Sequence, residues 1–139
     1  MRHRKKTVKL NRTSAHRKAL LANLVSSLIR EETITTTIAK ARSARPLAEK
    51  MVTLAKRNTL ATRRRAIQVL RNREAVKKLF SEIGPRFTDR PGGYTRLLKI
   101  ARGRHGDGAQ MARLSFLEEE VPSSTSPARM KPKKESPNK

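Results

Sequence analysis

Positive charge constrains this chain more than any other feature. It carries 34 lysines and arginines against 11 aspartates and glutamates over 139 residues, a formal net charge of +23. Folding brings like charges together, so a chain this basic opposes its own compaction unless a polyanion neutralises it. Nucleic acid is the commonest such partner, and an anionic membrane surface is the rival. Hydrophobic residues make up 35% of the chain and aromatics 3%, which suits one small domain with tails. No apolar run approaches the roughly 18 residues of a membrane span. The opening MRHRKKTVKL is charged and is followed by no apolar stretch, so it is not a secretory signal. The absence of cysteine excludes disulfides, a thiolate nucleophile and a cysteine zinc site, and it fits a reducing compartment.

The charge is unevenly placed. Nine cations (Arg2, Arg4, Lys5, Lys6, Lys9, Arg12, Arg17, Lys18 and Arg30) precede the first acid, Glu31. Residues 1–12 hold only Met1, Val8 and Leu10 as sizeable apolar side chains, too few to offset the entropy of ordering them. This segment reads as a basic, mobile arm. Behind Thr13 or Ser14 as N-cap, Leu20, Leu21, Leu24, Val25 and Leu28 form a helical stripe ending near Arg30. Residues 32–38, ETITTTI, are rich in β-branched side chains and predict a short strand. A second helix spans about 38–57, with a stripe of Ala44, Leu47, Ala48, Met51, Leu54 and Ala55. Pro46 inside it is expected to kink or restart it, and Asn58 to stop it. A third helix covers about 60–70. A fourth covers about 73–83 and buries Val76, Leu79, Phe80 and Ile83, with Gly84 and Pro85 as its terminators.

A Gly- and Pro-rich loop, 84–93, leads to a strand at 94–101, a glycine-rich hairpin loop at 102–109 and a partner strand at 110–117, with Ala112, Leu114 and Phe116 on one face. From Val121 the chain turns to proline, serine and lysine and reads as a disordered basic tail. The expected class is α+β in two layers, with helices packed on one face of a small three-stranded sheet. The expected order is α-β-α-α-α-β-β. Residues 1–12 form the arm, 13–120 the domain and 121–139 the tail.

Little in the sequence suggests catalysis or a metal. His3, His16 and His105 lack any ligand spacing. Asp89 and Asp107 lie in glycine-rich loops, where aspartate commonly closes turns, and neither has an evident acid–base partner. No glycine pattern matches a phosphate-cradling loop, so no cofactor is expected. The basic residues are the informative ones. The arm (Arg2, His3, Arg4, Lys5, Lys6, Lys9, Arg12) has no internal counter-charge and runs into a helix opening with His16, Arg17 and Lys18, a pattern suited to phosphate. Arg63, Arg64 and Arg65 cannot all face one way on a helix, so one is expected at the core edge and two outward. Arg102, Arg104 and His105 are spaced by glycine, which either brings guanidinium groups close to phosphates or merely forms a hairpin tip.

The aromatics are Phe80, Phe87, Tyr94 and Phe116. Phe80 and Phe116 are needed for the core, so few remain for stacking bases. Binding by charge and shape is expected, on folded double-helical RNA rather than single strands. The basic positions are scattered rather than gathered on one recognition helix, which disfavours a helix-turn-helix reader of DNA. A nucleoid-type DNA-binding protein is the main alternative. A cationic membrane-surface protein fits less well, since no bulky aromatics face outward.

Six segments give the chain a more specific likeness: MRHRK at 1–5, LNRTSAHRKALLANL at 10–24, ITTTIAKA at 34–41, LFSEIGPRF at 79–87, GGYTRLLK at 92–99 and RHGDGAQMARLSF at 104–116. In order and spacing they resemble the bacterial large-subunit ribosomal protein seventeen family from Met1 to about Leu117. The resemblance implies a structural, non-catalytic protein of two α/β layers. It implies binding to large-subunit ribosomal RNA near the outer end of the nascent-chain exit tunnel, with neighbouring ribosomal proteins as partners, in the cytoplasm. The match from the first methionine is expected to mean a bacterial chain with no organelle-targeting extension. By position the arm, His16–Arg17 and the GGYTR segment with Arg96 match the family pattern. RNA contact is therefore expected at the arm and the helix start, while GGYTR serves either RNA or the turn into the sheet.

Overall fold

A computed structural model of the chain describes residues 8–117. Its elements are α1 (Ser14–Glu31), β1 (Thr33–Thr37), α2 (Ile38–Arg57), α3 (Leu60–Leu70), α4 (Arg73–Lys78), a π-helical turn (Leu79–Ile83), α5 (Gly84–Arg86), β2 (Thr95–Lys99) and β3 (Met111–Phe116). The α+β class and the element order follow the sequence expectation, with the fourth helix divided into three continuous pieces. The first seven residues of the arm and the segment read as a disordered tail lie outside the described residues.

Local chemistry sets the helix ends. The Thr13 hydroxyl accepts from the His16 amide and starts α1. Thr59 and Thr62 exchange side-chain and backbone hydrogen bonds in a capping box that starts α3, and Asn72 accepts from the Ala75 amide to start α4. Glu32, Asn58 and Arg71 end α1, α2 and α3 in the left-handed conformation. α2 runs through Pro46 without a break, so no restart occurs there. Arg42, Arg45 and Pro46 are exposed, and water can reach the carbonyl that loses its amide partner.

Two further expectations change. The buried stripe of α1 is Ala22, Val25, Ser26, Leu28 and Ile29, rotated from the predicted one. Leu21 and Leu24 only pack partly against the core, because α1 must face both α2 and α4 and its burial centres on Val25, Leu28 and Ile29. Gly84 and Pro85 do not end the fourth helix. Gly84 is right-handed helical, and its amide donates to the Leu79 carbonyl across the π turn. The glycine suits the close approach of the two helices there: a Cβ would lie 3.0 Å from the Ala55 Cβ of α2. Pro85 sits in the first turn of α5, where a missing N–H costs little.

The sheet has strand order β1-β3-β2, with both pairings antiparallel. Its inner rows are Ile34–Leu114–Leu97 and Thr36–Ala112–Lys99, with the buried pair Thr95–Phe116 beyond them. α2 lies against all three strands and presents Ala41, Ala44, Ala48 and Ala55 to the core. These short side chains let helix and sheet approach, while Met51, Leu79, Ile83 and Leu114 fill the space between layers. All four aromatics are buried, and Phe87 packs against Tyr94 and Phe116 at ring-centroid distances of 5.2 and 6.3 Å.

Two polar clamps hold the layers in register. Glu49 on α2 accepts from the amides of Tyr94 and Thr95 at 3.0 Å each and from the Thr95 hydroxyl at 2.6 Å. Lys56, about two turns along the same helix, donates to the Arg90 carbonyl at 2.6 Å and lies 5.5 Å from the Tyr94 ring centroid. Together they pin the 88–94 loop to α2 and start β2.

Candidate nucleic-acid interface

At the N-terminal end, the last residues of the segment read as an arm form a turn. Leu10 and Asn11 both have φ of 53°, and the Arg12 amide donates to the Lys9 carbonyl. Arg12 Nη1 donates to the Leu10 carbonyl at 3.1 Å, and Arg17 Nη1 reaches the Arg12 carbonyl at 3.5 Å. Arg12 and Arg17 therefore help to seat the turn on α1, while Lys9, His16 and Lys18 are exposed. The first turn of α1 contains no acid, so its free amides and positive dipole end add to this patch. Arg2, His3, Arg4, Lys5 and Lys6 lie outside the described residues.

On α3, Arg63 is the arginine at the core edge. Its Nε and Nη2 donate to Asn58 Oδ1 at 3.0 and 2.8 Å, and its guanidinium lies 5.3 Å from the Phe80 ring centroid. Arg64 and Arg65 point outward without a hydrogen-bond or ion-pair partner among the described residues.

The 102–109 loop is a built hairpin tip. A Cβ on Gly103 would meet the Gly108 carbonyl oxygen at 2.7 Å, and Gly106 and Gly108 have φ of 101° and 64°. The Arg104 guanidinium grips the Asp107 carboxylate through both oxygens, and Asp107 also accepts from the Ala109 amide. The hydrogen bonds from Arg104 hold the Asp107 carboxyl at about 2, and Asp107 in turn raises Arg104. The glycines serve the turn, Asp107 closes it, and Arg104 is engaged in the free chain. Arg102 and His105 are exposed beside it.

The fourth basic locus is the outer face of the sheet. The inward alternation of Ala112, Leu114 and Phe116 sends Arg113 and Ser115 outward, and register places Ser115 opposite both Thr33 and Arg96, and Arg113 opposite Thr35 and Leu98. Arg90 joins Arg96 and Arg113 around a depression of ≈ 430 Å³. Arg113 and Arg90 were missed as candidates, although the period-two pattern of MARLSF already sets Arg113 apart from the buried residues. The acid at this edge, Glu32, is taken up elsewhere. Arg86 donates to it twice, at 2.6 and 3.0 Å, and Lys78 lies 3.3 Å away while donating to the Arg30 carbonyl. The Arg86 hydrogen bonds, helped by Lys78, hold its carboxyl below the ordinary value against the upward push of burial.

The start of α1 and the outer face of the sheet are not one cluster. The seventeen steps of α1 alone separate its start from the sheet end by roughly 26 Å. Among the described residues no group of three or more potential metal ligands comes together. No helix among them is long and apolar enough to cross a membrane. Against this geometry, residues 20–117 match the family model of ribosomal protein L17. This chain belongs to the ribosomal protein L17 family.

It is accordingly a large-subunit ribosomal protein, from a family that is generally structural rather than enzymatic. The L17 match spans α3, the sheet and the hairpin, and so includes Arg63, Arg64, Arg96, Arg102, Arg104, His105 and Arg113. The arm, His16, Arg17 and Lys18 precede it.

Proposed function

We propose that this L17-family chain binds folded large-subunit ribosomal RNA through several separate basic patches and stabilises that RNA beside the outer end of the nascent-chain exit tunnel, with neighbouring ribosomal proteins as further partners and no catalysis of its own. The observation that supports it most is the dispersal of uncompensated charge. Arg64 and Arg65 on α3, Arg102 in the hairpin loop, and Arg96 and Arg113 on the outer face of the sheet have no hydrogen-bond or ion-pair partner among the described residues. A protein reading one site concentrates its cations, whereas one held within a large folded RNA meets phosphates on several sides. The burial of all four aromatics favours contact with backbone and 2′-hydroxyls over base stacking. The tunnel position rests on the family resemblance.

The test is to trim residues 2–7, which removes Arg2, Arg4, Lys5 and Lys6 but leaves the Lys9–Arg12 turn in place. Each duplex phosphate neutralised contributes about 0.9 to the slope of log affinity against log salt, so trimming should flatten the slope for large-subunit RNA by roughly 3–4 units. An unchanged slope with a normally folded domain would show that the arm does not meet RNA.

A further inference from the structure

The outer face of the sheet has chemistry that the arm does not. It is uncovered by any described helix, and two of its cross-strand rows present two arginines, three hydroxyls and one exposed aliphatic side chain. Arg96 and Arg113 are diagonal neighbours on β2 and β3, about 7 Å apart at the Cβ atoms, comparable with the step between successive phosphates on one strand. Neither has a hydrogen-bond or ion-pair partner among the described residues. Glu32 would be their natural counter-ion, but Arg86 and Lys78 hold it. Thr33, Thr35 and Ser115 supply hydroxyls in the same two cross-strand rows, and Leu98 is 51% exposed beside them.

We propose that this face is a second RNA-docking surface, taking the sugar–phosphate backbone of a double-helical segment. Arg96 and Arg113 would each meet a phosphate, and the hydroxyl rows would meet ribose 2′-hydroxyls. Three features select this occupant. The uncompensated charge is positive, so the partner is anionic. The face bears no aromatic ring, so bases are not stacked on it as on a sheet that reads single strands. Guanidinium forks and hydroxyls together match phosphate and 2′-hydroxyl, a pairing that an acidic protein segment offers only in part. The inference rests on the RNA-binding reading above and adds to it a surface distinct from the arm.

The test uses the full chain carrying Arg96→Gln and Arg113→Gln, titrated with large-subunit ribosomal RNA over several salt concentrations. The salt slope should fall by about 2 units, additively with the loss from trimming residues 2–7. An unchanged slope in a folded double variant, with the trimming effect intact, overturns the docking face but leaves the general reading standing. No RNA binding by the parent chain overturns both. Should the double variant fail to fold, the cysteine-free sequence allows a second measurement on intact arginines. An iron chelate tethered to Leu98→Cys in the assembled subunit should cut ribosomal RNA locally. Cuts from Lys18→Cys but none from position 98, or cuts from 98 confined to a neighbouring protein, would overturn the proposal.

Discussion

Replacing Glu49 by alanine should be among the most damaging single changes outside the apolar core. Its carboxylate is the acceptor for three donors at the start of β2: the amides of Tyr94 and Thr95 and the Thr95 hydroxyl. Tyr94 and Thr95 are each 3% exposed, so water cannot readily replace the lost acceptor. A buried donor left unpaired costs about 1–3 kcal/mol. Two such amides, with some relaxation at the half-buried Glu49 position, amount to about 2–4 kcal/mol. A domain of this size has about 5–15 kcal/mol in total, and its midpoint moves about 4–8 °C per kcal/mol. The variant should therefore melt roughly 8–30 °C lower. Glu49→Gln keeps the volume and one acceptor oxygen while making the same change in net charge, so it should lose about half as much. The assay is urea unfolding followed by far-UV circular dichroism at fixed salt, with amide exchange at residues 94 and 95 as the local readout. A loss under about 1 kcal/mol for the alanine variant, or unaltered exchange at both amides, would refute the clamp.

Leu28 is fully buried whereas Leu24 only borders the core, so Leu28→Ala should cost about 2–5 kcal/mol and Leu24→Ala clearly less. Equal losses in the same unfolding assay would put the α1 stripe back at its sequence-predicted position. The lowered pKa of Glu32 means that its ion pairs with Arg86 and Lys78 stabilise the fold fully above the unfolded carboxylate range of about 4, and that this contribution is lost as pH falls through the lower folded value. Stability profiles of the parent chain and Glu32→Gln should therefore converge in acid, and a constant gap from neutral pH down to pH well below that range would contradict the assignment.

The elements were legible where local chemistry decides them. The caps Thr13 and Asn58, the β-branched 33–37 stretch and the alternation of Ala112, Leu114 and Phe116 all lie where periodicity and capping place them. What the pattern missed depends on partners distant in sequence. Gly84–Pro85 has the composition of a helix terminator, but the close approach of Ala55 across the interface suits a glycine within a continuing helix. The packing of α1 against two helices, rather than its own leucine spacing, decides that Ile29 is buried and Leu24 only borders the core. Nothing local marks Glu49 on α2, because its three donors lie 45 and 46 residues away at the start of β2. The basic arm and α3 were visible as charge. The pairing of Arg96 with Arg113 needed the β2–β3 register, which single-strand patterning cannot supply.

The central claim, that this chain is held in the large subunit by ribosomal RNA at several points, is tested most directly by sedimentation. The labelled chain should travel with the large subunit through a gradient and stay there after a moderate salt wash, since separate patches must release together. It should also remain bound in the presence of excess duplex DNA. Sedimentation as free protein, or transfer to the DNA competitor, would contradict the account and favour a general DNA-binding role.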